Sequence, residues 1–403
     1  MMRPFASTIS LDEARRRLDK AVRPTTRTEH VRLEDAAGRV AAADVVSSID
    51  VPPFARSAMD GYAVIAADTV NASASTSVTL RLVDRIYTGE PVRSRVVSGT
   101  CAEIATGAPL PVGADAVVIV EDTRKAGEHE IQICASAKEG QHIGRRGADI
   151  SCGSPAVRAG DLLTPGRLGA LAAIGCCDVL VYAKPRVAML STGNEVVEPG
   201  RPLAPGQIYD VNRFTLAAIV SAHGGLPEPQ GGAQDTLDEL SRALDRCSDA
   251  DVIVFSGGSS VGERDLIADA IAARGEMIFH GIAVKPGKPT AFARVGGASF
   301  FGMPGNPTSC LSNAYVLLVP FLRATARLPP FSPRIVRVRL ARDIVSSAGR
   351  HQFYTVRVQQ DGAHPVFKSS GEITSLSEAD GYIEIPAEQD HVDAGSMVDV
   401  KLF

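Results

Sequence analysis

Residues 252–265 read VIVFSGGSSVGERD. Four apolar residues, Val252 to Phe255, give the short continuous signal of a buried strand, and the small residues Ser256, Gly257, Gly258, Ser259, Ser260 and Gly262 end it. Behind them, Asp265 to Arg274 (DLIADAIAAR) repeats apolar residues at Leu266, Ala270 and Ala273 with Ile267 and Ile271 beside them. Asp265 stands where a helix cap would. The unit is strand, glycine loop, helix. In open α/β sheets such loops lie at the carboxyl ends of strands, where backbone N–H groups and a helix N-terminus hold an anion, so a phosphate or oxyanion is the candidate ligand. The same residues also suit a plain tight connection with Asp265 as an ordinary N-cap.

Around this stretch, residues 186 to 325 alternate strand and helix signals as a doubly wound sheet does. RVAMLS is followed by a helix from about Asn212 to His223, a strand before Gly231, and a helix behind the capping box Thr236-Leu237-Asp238-Glu239. Beyond the glycine loop come strand MIFHGIAV, the loop Lys285-Pro286-Gly287-Lys288-Pro289, and the paired strands TAFARV and SFFGM. Pro304-Gly305-Asn306-Pro307 then starts a helix, with Asn306 as N-cap and Pro307 as first helical residue. With Ser191-Thr192-Gly193-Asn194-Glu195 this makes four strand-ending loops carrying glycine, carboxylate or lysine, all expected on one edge of the sheet. The segment from Val295 to Leu322 carries no Asp, Glu, Lys or Arg, but its glycines and prolines interrupt any membrane span, and it is expected as buried core.

Toward the N-terminus, Ser10-Leu11-Asp12-Glu13 is a capping box with Leu11, Ala14 and Leu18 at helical spacing behind it, and a further helix is expected at Leu33 to Ala42. Pro52 and Pro53 then force an extended stretch leading into Ala58-Met59-Asp60-Gly61-Tyr62. Residues 51–140 read as an inserted β module of short strands and turns. Within it, Ala105-Thr106-Gly107-Ala108-Pro109 is a plain turn or a ligand contact, and Gly144-Arg145-Arg146-Gly147-Ala148-Asp149 is a phosphate-reading arginine pair or a solvated loop. From Pro329 onward the pattern is all-β, a small barrel or sandwich.

The 403 residues suffice for roughly two to four domains with real cores. A net charge of -4 gives no basic field for nucleic acid or an anionic membrane, so the expected partner is a small molecule. Seven cysteines, odd in number and without a C-x-x-C pair, argue against a disulfide framework or thiolate zinc site, and all seven are expected as core residues. No H-x-x-x-H pair occurs, and MMRPFASTIS lacks the apolar core of a signal peptide, so a reducing cytoplasm is the expected location.

Taken together, SAMDGYA (Ser57 to Ala63), ATGAP, RRGADI, STGNE, IYDVN (Ile208 to Asn212), SGGSSVGERD, KPGKP and MPGNP resemble, in motif and order, the MoeA family of molybdopterin molybdenumtransferases, shared with the gephyrin E domain and its plant counterpart. The resemblance runs from the first helix to the C-terminal β domain. It implies a multidomain α/β and β fold: an extended, discontinuous N-terminal domain (1–50 plus 141–182), an inserted β domain (51–140), a doubly wound MogA-like α/β domain (183–326) and a C-terminal β domain (327–403). It implies an elongated homodimer with its active site at the subunit interface, in transient contact with the molybdopterin adenylyltransferase. The implied substrates are molybdate and adenylated molybdopterin, the products molybdenum cofactor and AMP, with Mg²⁺ or a similar divalent cation.

Residue by residue, the resemblance implies catalytic roles for Asp60, Thr106, Asp149, Asp235, Asp265, Lys285 and Lys288, with Asp235 placed only by a loosely similar stretch. It implies substrate binding by Ser256, Gly257, Gly258, Ser259, Gly262, Pro304, Gly305, Asn306 and Ser370, and metal binding by Glu195 and Asp265. The chain departs from the family pattern at Asn194, where Asp is common, at Ser259, where an apolar residue is common, and at Thr308. Such residues suit the chemistry: lysines and free helix N-termini neutralise a tetrahedral dianion and a pyrophosphate bridge, and Mg²⁺ takes one or two carboxylates beside substrate phosphates. An adenylyltransferase, revealed by ATP consumption, and a scaffolding module tolerant of carboxylate loss are the alternative readings.

Overall fold

The computed structural model describes residues 8–233, 236–257, 266–346 and 349–403. The described residues fall into two compact units, one holding the chain up to Glu29, Gly38–Val40 and Val181–Phe403, the other His30–Ala37 and Ala41–Leu180.

In the first unit, helix α1 (Leu11–Ala21) starts where the capping box places it: Ser10 Oγ accepts from the Glu13 N–H at 3.2 Å. Its buried stripe, Leu11, Ala14, Leu18 and Ala21, joins the core of the α/β sheet. In the second unit, the helix expected at Leu33 to Ala42 is only a 3₁₀ turn, Leu33–Asp35. Gly38 lies in the left-handed region at φ +72, and the Ala41 N–H donates to Asp161 O, so the chain turns into extended pairing instead.

The second unit carries a six-stranded sheet of β1 (Gly61–Val64), β2 (Val78–Ile86), β3 (Thr100–Ile104), β4 (Ala116–Ile119), β5 (Thr123–Lys125) and β6 (Glu130–Ile133), in the order β4-β1-β3-β2-β6-β5. Its faces bury Tyr62, Leu80 and Ile131 on one side and Ala63, Ile104 and Val117 on the other. Helix α2 (Pro165–Ala173) follows, capped by Thr164, an element that the apolar pattern did not announce.

The α/β part of the first unit runs β7 (Arg186–Thr192), α3 (Asn212–Ala222), β8 (Leu226–Ala233), α4 (Leu237–Arg246), β9 (Val252–Ser256), α5 (Leu266–Ala272), β10 (Gly275–His280), β11 (Val284–Lys285), β12 (Ala291–Val295) and β13 (Ala298–Met303). The sheet order is β8-β7-β9-β13-β12-β10, with the first four strands parallel and the hairpin β12–β13 antiparallel. Strand β9 is buried throughout, Val252 and Val254 packing into one core with α3 and Ile253 and Phe255 into the other with α4 and α5. That double burial is why it reads as an unbroken apolar run. The charge-free segment continues into α6 (Pro307–Asn313), a π turn (Ala314–Leu318) and α7 (Val319–Thr325), nearly all buried. The π turn accommodates Pro320, which has no N–H to give the preceding turn. Among the described residues no helix is long and apolar enough to cross a membrane.

The C-terminal segment of the same unit folds as β14 (Ile335–Arg339), β15 (His351–Gln359), β16 (Gly362–Pro365), β17 (Gly381–Ile385) and β18 (Met397–Leu402), with one helical turn, α8 (Thr374–Ser377), inside the expected all-β region. Strand β11 of the preceding segment pairs with β15, so the lysine loop is anchored in this sheet.

Candidate functional site

A cavity of about 1200 Å³ opens in the first unit at the carboxyl edge of the parallel strands. Strand β7 delivers Ser191, Thr192, Gly193 and Glu195; β9 delivers Ser256 and Gly257; β13 delivers Pro304, Gly305 and Asn306. The connection from β10 to β12 brings Lys285 to Pro289, and the C-terminal segment adds Ser370. The four loops read from the sequence do share one edge, because β10 runs in the same direction as β13 and its outgoing loop leaves from the same side.

The loops meet backbone to backbone. Gly257 is at φ +99, and a Cβ there would collide with the Thr192 carbonyl; Gly305 faces Gly257 at 3.3 Å from its own Cβ direction. The Gly257 N–H donates to Met303 O at 3.2 Å and Ser256 Oγ to Ser191 Oγ at 3.4 Å. Gly257 is thus a position that only glycine fills without strain. Gly193, at φ +133, makes room for the Glu195 carboxylate, which would stand 2.8 Å from a Cβ. Asn212 at the start of α3 is buried and donates to Gly305 O at 2.8 Å.

Asn306 is the N-cap residue of α6, yet its side chain does not cap that helix. Nδ2 instead donates to Ser370 Oγ at 2.9 Å, the Thr308 N–H donates to Ser370 O at 3.1 Å, and Thr308 Oγ1 donates to Glu372 O at 2.8 Å. The first N–H of α6, with the Asn306 and Thr308 side chains, is thereby laced to the C-terminal segment.

In the second unit three other motifs converge. Asp60 Oδ1 accepts from the Thr106 N–H at 2.7 Å, and this bond, with the Thr106 hydroxyl, holds the Asp60 carboxyl below its usual range against a small opposing effect of burial. The Ser57 N–H donates to Ala108 O, the Gly107 N–H to Ser57 O, and the Asp149 N–H to Val51 O. Asp60, Thr106 and Asp149 therefore belong to one set of connected loops. Arg146 donates Nε to Asp50 at 2.7 Å, so one guanidinium of the arginine pair is engaged by the segment that leads into Pro52. With the Cys152 N–H, which acts more strongly, it keeps Asp50 below the ordinary carboxylate range.

Asp235, Gly258, Ser259, Gly262 and Asp265 lie outside the described residues. Sequence reasoning passed over Arg350, Phe367 and Lys368, which line the cavity from a region that reads only as alternating strands. Tyr209, Asp210 and Asn212 also line it; they lie inside the quoted IYDVN motif without having been singled out. The cysteines are not all core: Cys101, Cys247 and Cys310 are buried, whereas Cys152 and Cys177 are exposed. Burial pushes the Cys101 thiol up to about 12 and Cys247 to about 11, far from the reactive thiolate. Among the described residues the one His/Asp group with metal-ligand spacing, Asp343, His391 and Asp393, is exposed, and none of the three lines the cavity.

Family profiles match the chain almost end to end: "MoeA N-terminal region (domain I and II)" over residues 9–175, "Probable molybdopterin binding domain" over 188–324 and "MoeA C-terminal region (domain IV)" over 337–403. A molybdopterin molybdenumtransferase of Haemophilus influenzae is 34% identical over 98% of both chains. Molybdopterin molybdenumtransferase 2 of Mycobacterium tuberculosis is 36% identical over 94% of this chain and 95% of its own. A molybdopterin biosynthesis moeA protein from Pyrococcus horikoshii superposes with a TM-score of 0.85 at 39% identity, covering 98% of this chain and 99% of the other. The ordered loops at the sheet edge, the β-rich second unit and these full-length likenesses agree, and the chain belongs to the MoeA family of molybdopterin molybdenumtransferases.

Proposed function

We propose that this transferase inserts molybdenum from molybdate into adenylated molybdopterin, releasing molybdenum cofactor and AMP. The observation that carries the reading is the convergence of Lys285, Lys288, Glu195 and the start of α6 on one cavity large enough for a pterin nucleotide. Lys285 and Lys288 neutralise the oxyanion and the phosphates, and with charge placed before reaction begins they favour anhydride cleavage. Ser256, Gly257, Pro304, Gly305, Asn306 and Ser370 line the walls that orient the substrate. Asp60, Thr106 and Asp149 hold the pterin end, in a site completed at the interface of a homodimer. Glycine-loop residues Gly258, Ser259 and Gly262, with Asp235 and Asp265, belong to the same proposal.

The donor set suits a divalent cation. Glu195 offers a carboxylate over Gly193, and buried Thr192 Oγ1 has no hydrogen-bond partner among the described residues. Hard oxygens of this kind are what Mg²⁺ takes, and Glu195, with Asp265, would hold it; when bound, it neutralises charge on the phosphoanhydride. Four structural segments, a cytoplasmic setting and transient delivery of the adenylated pterin by an adenylyltransferase complete the reading. It is tested by quantifying AMP from adenylated molybdopterin with molybdate and Mg²⁺, for the wild type and for Glu195→Gln and Lys288→Ala. AMP release that falls steeply in both folded variants supports the reading; unchanged turnover in both, or ATP consumption with pyrophosphate release, overturns it.

A further inference from the structure

Helix α6 ends on a side chain that faces neither its own helix nor solvent. Asn313 is fully buried; its Nδ2 donates to Gly287 O at 2.8 Å and to Thr290 Oγ1 at 2.6 Å. Thr290, equally buried, donates Oγ1 to the same Gly287 carbonyl at 2.9 Å. Gly287 sits at φ +105, and a Cβ there would collide with the Asn313 amide, so the loop backbone lies directly on that side chain. Lys285 and Lys288 flank this carbonyl. Lys285 is held in β11 opposite Gln352, while Lys288 O accepts from the N–H groups of Ile282 at 3.0 Å and Thr290 at 2.9 Å. The opposite end of α6 is the Asn306 turn bound to Ser370, so one short helix joins two walls of the cavity.

The arrangement carries a cost that packing alone would avoid. Asn313 Oδ1 is buried with no hydrogen-bond partner among the described residues. A leucine, branched in the same way though bulkier, would carry no unpaired acceptor. What the amide supplies and leucine cannot is a pair of N–H donors that fix the Gly287 carbonyl and the Thr290 hydroxyl.

We propose that Asn313 is a positioning residue for Lys285 and Lys288, fixing the loop between them so that the two ammonium groups meet a tetrahedral oxyanion at a set separation. The inference rests on the reading of the cavity as a molybdate site. Lysine is a compact point charge on a flexible stem, so its grip on an anion depends on how firmly its backbone is held.

The test is calorimetric titration with molybdate alone of the full chain, as wild type, Asn313→Leu, Lys288→Ala and the double variant, with amide hydrogen exchange of residues 285–290 measured alongside. We expect Asn313→Leu to weaken molybdate binding about tenfold, to speed exchange in the loop, and to add little further loss once Lys288 is already alanine. Should Asn313→Leu fail to fold, Thr290→Val, which removes the other donor to Gly287 O, replaces it with the same expectation. Unchanged affinity and loop exchange, or an equal loss in the Lys288→Ala background, would overturn the positioning role alone. Wild-type protein that takes up no molybdate would instead overturn the reading of the cavity, and the inference with it.

Discussion

Asn306 Nδ2 donates to Ser370 Oγ across 2.9 Å, linking positions 64 residues apart. An N-cap residue thus holds the C-terminal segment against the sheet edge, and the neighbouring Thr308 reinforces the link from a fully buried position. The two residues are expected to separate stability from activity. Ser370→Ala removes a bond at an exposed site and should cost at most about 1 kcal/mol of stability, while AMP release falls roughly tenfold in kcat/KM. Thr308→Val removes one of the two donors to the Glu372 carbonyl, the Ser375 N–H remaining, and should cost about 1 kcal/mol in urea unfolding. Equal and small effects of both on activity would mean that the link is only structural.

Thr192 offers a sharper contrast. Its buried hydroxyl, without a hydrogen-bond partner among the described residues, costs the fold something, so Thr192→Val should leave the thermal midpoint unchanged or raise it. The same change should raise the Mg²⁺ concentration needed for half-maximal AMP release. A loss of stability without any change in the Mg²⁺ titration would remove this hydroxyl from the proposed cation site.

Gly257→Ala should be costly twice over. At φ +99 the new methyl is strained and it strikes the Thr192 carbonyl, so a loss of about 1–3 kcal/mol is expected. Because Thr192 and Gly305 move with it, activity should fall by more than the unfolded fraction accounts for. Circular dichroism and an activity assay on the same preparation decide the point.

Much of this was legible in the chain itself. The run Val252 to Phe255 and the proline at the start of α6 are local signals, and local signals survive into the fold. The role of Asn313 was not legible, since an asparagine in a charge-free helix becomes informative only when the Gly287 carbonyl is seen against it. Nor were Arg350 and Lys368, whose place in the cavity depends on how the C-terminal strands meet the α/β sheet. The helix expected at Leu33 failed because Gly38 takes the left-handed conformation and long-range pairing takes over from periodicity.

Acid stability should report on Glu384, which α1 and the C-terminal sheet share. Burial raises its pKa, but the His351 and Lys401 side chains and the nearby Arg15 more than reverse this, bringing it to about 2 from 4.5. Lys401 Nζ at 2.9 Å is the close partner; His351 Nε2 at 3.5 Å is a charge contact longer than a good hydrogen bond, and Nε2 has no hydrogen-bond partner among the described residues. A carboxylate with a depressed folded-state pKa contributes stability above its unfolded pKa and loses it as pH falls toward the folded value. Stability should therefore decline between about pH 4.5 and about pH 2, and Glu384→Gln should flatten the decline in that window. Chemical denaturation at a series of pH values measures it; an unchanged slope would discount the cluster.

The most direct measurement is a crystal of the protein soaked with tungstate, whose anomalous scattering locates a tetrahedral oxyanion without ambiguity. The account predicts a single strong peak in the cavity within contact of Lys285 and Lys288, reduced in Lys288→Ala. A peak only at surface cations away from the sheet edge, with the cavity vacant, would contradict it.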